Sequence, residues 1–137
     1  KVIQGGTTWV SKVGDHGALS YNHMAMVELL PNNKLVAVWQ ASNDGEGTPD
    51  QHLRIAYSKD ADGHEWGPHE AIPIPNDGHA IWSPVLQWIG EDGASVPSKG
   101  VAKGTLWVFY AHSTSHCRAP GGDLKYVKMS WPEHIWS

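Results

Sequence analysis

Cysteine is almost missing: Cys117 is the only one in 137 residues, so no internal disulfide can form and the redox compartment stays open. Arginine is nearly as scarce, with Arg54 and Arg118 alone. Acidic residues outnumber basic ones, the net charge is −4, and no basic stripe occurs, which speaks against nucleic acid as a partner. No apolar run approaches the roughly 18 residues of a membrane span. No signal peptide and no N-x-[ST] acceptor is visible. Helical periodicity with caps is absent too, and Pro31 breaks the one promising pair, Leu29-Leu30.

Hydrophobic residues make up 40% of the chain and charged residues 18%. That balance is enough for a folded domain with a core and speaks against a disordered chain. Eight tryptophans are many for this length. Each is a wedge for a strand end or, where a face is open, a platform for a sugar ring.

The chain repeats itself. Leu53–Ser58 followed by Trp66 parallels Leu124–Ser130 followed by Trp136, with the serines 72 and the tryptophans 70 positions apart. Lys34–Ser42 parallels Thr105–Ser113, and Met24–Leu29 parallels Ser83–Trp88. Three elements recur in one order, so the likeness is a duplication. Each is short, rich in Val, Leu, Ile, Trp and Tyr, and bounded by Gly, Pro, Asn or Asp, which predicts strands. Turns are predicted at 31–33, 62–63, 76–78 and 91–93. The expected class is all-β, with two four-stranded antiparallel units. Strands are predicted near 22–30, 34–42, 51–58 and 69–74, then near 81–89, 104–112 and 123–130, with a surface loop over 94–103.

The turn after each third strand carries a further pattern. Ser58-Lys59-Asp60-Ala61-Asp62-Gly63-His64-Glu65-Trp66 resembles an S-x-D-x-G-x-T-W box, Gly5-Gly6-Thr7-Thr8-Trp9 resembles the end of another, and Ser130–Trp136 a worn third. Ile81-Trp82-Ser83-Pro84-Val85-Leu86 resembles a W-[NS]-P-V-L strand opening. On these residues the chain resembles the sialidase-like BNR, or Asp-box, repeat family. The resemblance implies a β-propeller of sialidase type, of which about two of six blades are present. It divides the chain into residues 1–19 as the tail of a preceding blade, 20–75 as blade one, and 76–137 as blade two, incomplete at its fourth strand. Box residues Asp62 and Trp66 are expected to be structural. The remaining blades would come from a longer chain or from other copies, three two-blade copies making six.

The resemblance also implies an activity: an exo-sialidase-like glycoside hydrolase acting on terminal sugars, with a glycan as partner and, weakly, a location outside the cytoplasm. Loops 15–22, 43–50, 76–82 and 113–122 are expected at one end. Asp44 is the candidate general acid, since a carboxyl group there could protonate a leaving oxygen. Asn22, His23, Glu46, Asp50, Trp82 and Arg118 are the candidate substrate contacts. Asn22 stands where the family opens its first strand with a substrate-gripping arginine, whose bidentate fork suits a carboxylate. Arg54 is expected mid-strand at a blade seam, and Tyr21 is expected to pack. His112, His116 and Cys117 are metal-like in type but lack a fourth partner at a diagnostic spacing, so neither a metal nor a cofactor is assigned. The alternative is a non-catalytic carbohydrate-binding or structural subunit of a larger assembly.

Overall fold

A computed structural model describes residues 10, 19–75, 77–113 and 122–137. Among the described residues, eight strands form two separate four-stranded sheets. Sheet one holds β1 (Tyr21–Leu30), β2 (Lys34–Ser42), β3 (His52–Tyr57) and β4 (Glu70–Ala71). Sheet two holds β5 (Ala80–Gly90), β6 (Gly104–Ser113), β7 (Asp123–Trp131) and β8 (Ile135–Trp136). Both run in simple sequence order with every pairing antiparallel. The seven predicted strands and the 94–103 loop therefore stand, the fourth of sheet one shortened to Glu70–Ala71, whereas sheet two, expected to be incomplete at its fourth strand, has a short one in β8.

The register shows how deep the duplication goes. Val36 lies opposite Tyr57 and Val38 opposite Ile55; 71 positions on, Trp107 lies opposite Lys128 and Phe109 opposite Tyr126. The first strands match at a different offset, Met26 opposite Val38 and Val85 opposite Phe109. Each first strand breaks its register at the same place, between His23 and Met26 and between Trp82 and Val85. Met24 and Ser83 sit there with φ of 52° and 47°, which is bulge geometry. Pro84, which cannot donate to a ladder, falls inside the second bulge.

One predicted equivalence shifts by a residue. Ser58 bridges Trp66, whereas Met129, not Ser130, pairs with Trp136. Ser58 Oγ accepts a bond from the Leu35 amide at 2.8 Å. In sheet two that slot holds the Met129 side chain, whose sulfur takes a bond from Tyr57 OH at 3.1 Å. The box turn is also anchored elsewhere than expected. Asp60, not Asp62, accepts the backbone amides of Asp62, His64 and Glu65 at 3.0, 3.0 and 2.7 Å. These bonds, that from His64 foremost, hold the Asp60 carboxyl below the ordinary carboxylate range. Gly63 has a φ of +70°, and a Cβ there would sit 2.9 Å from Leu35 Cδ1.

The sheets pack face to face. Leu30, Val36, Val38, Leu53 and Ile55 of sheet one meet Leu86, Trp88, Leu106, Val108 and Met129 of sheet two in one core. Every second residue of these strands points into it, so burial alternates along β6 although Leu106–Ala111 is apolar throughout. The other face of sheet one buries Ala37, Trp39, Ala41 and Ala56 beneath Leu19, with Val10 and Trp66 against them. Arg54 lies on this second face, facing away from sheet two. Its guanidinium bonds His69 Nδ1 at 2.7 and 3.0 Å and the His69 carbonyl at 3.1 Å.

Sheet two's outer face is different. Trp107, Phe109 and Tyr126 form an aromatic cluster with ring centroids 5.0–6.1 Å apart. Around it, Leu124 is 78%, Tyr126 53% and Val85 52% exposed. By the shared register these residues are the counterparts of Val36, Val38, Leu53, Ile55 and Met26. All but Met26 belong to the core that sheet one buries against sheet two.

Candidate functional site

One end of the molecule gathers most of the predicted site. Tyr21 opens β1 opposite Ser42, and Ala80 opens β5 opposite Ser113, so loop 43–50 and both strand starts share that end. Side chains from sheet one lock it to sheet two. Gln40, fully buried, accepts the Ser83 amide at 2.9 Å and donates to Tyr21 OH at 3.3 Å. Gln51, equally buried, accepts the Gly47 amide at 2.8 Å and donates to the Ile81 carbonyl at 2.7 Å. Buried amides of this kind must be paired, and these two pair across the sheets.

Loop 43–50 is built on its own polar groups. Ser42 Oγ donates to the Gly45 carbonyl at 2.5 Å and accepts the Gly45 amide at 3.0 Å. The Asp50 carboxylate accepts the Asn43 amide at 2.7 Å and Thr48 Oγ1 at 2.5 Å. Burial pushes the Asp50 carboxyl up, yet the Thr48 and Asn43 bonds outweigh it and leave the group below its ordinary value. Asp50 is thus a loop brace whose lone pairs are largely engaged. Ser20 Oγ donates to the Asn43 carbonyl and ties the loop to the start of β1. Asp44 stands exposed at the loop's outer side.

Three further side chains converge on the rim. Tyr21 OH and His23 Nδ1 are 2.7 Å apart, and Glu46 Oε1 lies 3.6 Å from the same nitrogen. A hydroxyl–imidazole–carboxylate relay requires the two partners on opposite ring nitrogens. Here both approach Nδ1, so the trio is a polar cluster and not a proton relay. Tyr21, expected to pack, is half-buried with its hydroxyl in this cluster, and no spacing rule in the sequence marked it.

Asn22 is the most informative of the predicted residues. Its Oδ1 accepts Trp39 Nε1 at 2.8 Å. Its Nδ2 is buried and has no hydrogen-bond partner among the described residues. It borders a hollow of about 220 Å³ lined by Val10, His23, Met24, Val27 and Trp39. Trp82, by contrast, is only 7% exposed, and its indole N–H donates to Ser113 Oγ at 2.8 Å; little of its ring is open for stacking. Arg118, His116 and Cys117 lie outside the described residues. The described arginine, Arg54, is engaged with His69 away from the rim, so no guanidinium stands at the rim among the described residues.

Asp77, His79 and His112 form a second cluster that the sequence did not reveal. Their ligating atoms all lie within 4.8 Å of one another. The sequence marks His112 only as metal-like in type, and Asp77 and His79 only as members of the turn at 76–78 and the loop 76–82. No protein-family model matches the chain, and no curated protein matches it in sequence.

Proposed function

We propose that this chain is part of a sialidase-like, carbohydrate-acting β-propeller, two consecutive blades with a sugar-facing rim at Tyr21, Asn22, His23, Asp44 and Glu46. The observation that carries the reading is the buried Asn22 Nδ2, which has no partner among the described residues and borders a hollow. An unsatisfied buried donor costs about 1–3 kcal/mol, and a sugar hydroxyl or carbonyl oxygen would recover it. Asn22 also occupies the position at which the resemblance expects a substrate contact. In this reading Asp44 is the general acid, placed in the loop after the second strand.

The outer face of sheet two supports the propeller half of the proposal. Trp107, Phe109, Leu124 and Tyr126 stand at the positions that sheet one covers with sheet two, so a further sheet of the same kind is the natural neighbour of that face. Exposed apolar patches of this kind mark interaction surfaces.

A second reading, carbohydrate binding without turnover, is favoured by the neutral amide where the family places an arginine. One set of measurements separates the two. The chain is titrated with terminal monosaccharides, sialic acid included, by tryptophan fluorescence, and assayed for release of a fluorescent aglycone from aryl sialosides and aryl hexosides. Asn22→Asp keeps the acceptor for Trp39 and removes the donor. It should weaken binding about 5- to 100-fold, and, because it sets a carboxylate oxygen at a buried position, circular dichroism and thermal unfolding are used to check that the fold survives. Turnover abolished by Asp44→Asn supports the hydrolase, and binding without turnover supports the second reading. Neither binding at millimolar sugar nor turnover ends both.

A further inference from the structure

We infer that Asp77, His79 and His112 form a binding site for one divalent transition-metal ion of the zinc type. His112 comes from the end of β6, and Asp77 and His79 from the loop that leads into β5. Asp77 Oδ1 lies 3.0 Å from His112 Nε2 and 3.3 Å from His79 Nδ1. The two imidazoles pack edge to face with centroids 5.0 Å apart. Ligands about 2.0–2.2 Å from a tetrahedral ion lie roughly 3.4 Å from each other; both Asp77 edges are close to that spacing, and the two imidazole nitrogens lie within 4.8 Å of each other. Two imidazoles and one carboxylate are a borderline-soft donor set suited to zinc, cobalt or iron(II) and poorly suited to calcium or magnesium.

Burial fits the assignment. His112 is buried while Asp77 is exposed and His79 partly so, which gives one fixed ligand, an open approach and room for a water as fourth ligand. The fold does not need the cluster. By register, the counterpart of His112 in sheet one is Ala41, since His112 lies opposite Asp123 as Ala41 lies opposite His52. The same strand end is thus built with a methyl group in its place, so the imidazole answers to something other than strand pairing.

One neighbour opposes the ion. Lys125 Nζ is 2.9 Å from His112 Nδ1. An ammonium only donates, so that nitrogen is the acceptor and the Nε2 proton points at Asp77. To bind the ion through Nε2, His112 must carry its proton on Nδ1 instead, and Lys125, half-exposed, must turn to solvent. Lys125 therefore competes with the metal, and its removal should strengthen binding.

The test uses the full 137-residue chain. Zinc is titrated by calorimetry and cobalt(II) by visible absorption. One equivalent of each should bind, with intense cobalt bands of a four-coordinate site and no thiolate charge-transfer band. Asp77→Asn and His79→Gln, both on an accessible loop, should each weaken zinc at least about tenfold, the lower bound for disturbing a metal's ligand shell. Lys125→Met should tighten it several-fold. His112→Gln should abolish binding, with circular dichroism confirming the fold. The inference fails if zinc gives no heat up to millimolar concentration, if Asp77→Asn and His79→Gln bind as the parent does, or if a thiolate band places cobalt on Cys117.

Discussion

Gln51→Leu tests how the two sheets are joined. Its amide satisfies two buried backbone groups at once, the Gly47 N–H at 2.8 Å and the Ile81 carbonyl at 2.7 Å. Leucine is close in volume but serves neither. Each orphaned group costs about 1–3 kcal/mol, while the leucine recovers about 1 kcal/mol by burying apolar atoms in place of an amide. The net loss is about 3 kcal/mol, a large share of the 5–15 kcal/mol that stabilises an ordinary domain. With a urea m-value of about 1.5 kcal/mol/M, the unfolding midpoint should fall by about 2 M. The backbone bond from the Ile81 amide to the Gln51 carbonyl, 3.2 Å, survives in the variant, so the change isolates the side chain. Ile81→Val serves as the control: it keeps the bond to its own carbonyl and should cost only about 0.5–1.5 kcal/mol. A midpoint for Gln51→Leu within about 0.5 M of the parent would refute the clamp.

Three further outcomes are expected. Because the folded Asp60 carboxyl is held below its ordinary value, the 60–65 turn keeps its full support above the ordinary carboxylate range and loses it as pH falls through the lowered value; the His64 and Glu65 amide resonances should titrate there, and Asp60→Asn should abolish that transition. Gly63→Ala forces a side chain into a left-handed backbone against Leu35 and should destabilise by about 1–2 kcal/mol in urea unfolding; a neutral result would remove the need for glycine at that turn. Leu124→Lys with Tyr126→Lys, on the open face of sheet two, should cost no more than about 1–2 kcal/mol, the ring contacts of Tyr126 with Trp107 and Phe109, while reducing concentration-dependent association in sedimentation; a much larger loss would mean the face is packed within a single chain.

The strands were legible because they are short apolar runs rich in β-branched and aromatic residues between turn residues. Val36–Trp39 is covered on both faces, burial alternates along Leu106–Tyr110, and the duplication made each half check the other. The bulges could not be read, since Met24 and Ser83 share no side-chain property; what they share is backbone conformation. The box turn was placed correctly but its anchor was misassigned. Asp60 and Asp62 are equivalent in composition, and only the fold decides which carboxylate meets three amides. At the rim, Asn22, His23 and Glu46 were marked by position, whereas Tyr21 joined them through a contact two residues along a twisted strand. Asp77 escaped because an Asn-Asp-Gly string reads first as a turn, and its partner His112 is 35 residues away.

The polar links between the sheets run in one direction. Gln40, Gln51 and, at a longer 3.4 Å, Glu28 reach from sheet one to the main chain of β5, at Ser83, Ile81 and Trp88. At these three places sheet two offers only peptide groups, which every residue except proline supplies in full; the one side-chain acceptor described above, the Met129 sulfur, lies on β7. Ser83 and Ile81 can therefore change identity freely as far as these bonds are concerned, while Gln40 and Gln51 cannot. Such a joint lets the receiving unit diverge, or be exchanged for another of the same backbone path, while its attachment persists. In a duplicated chain this is a route by which one copy acquires new side chains, such as His112 in place of alanine, without losing its seat.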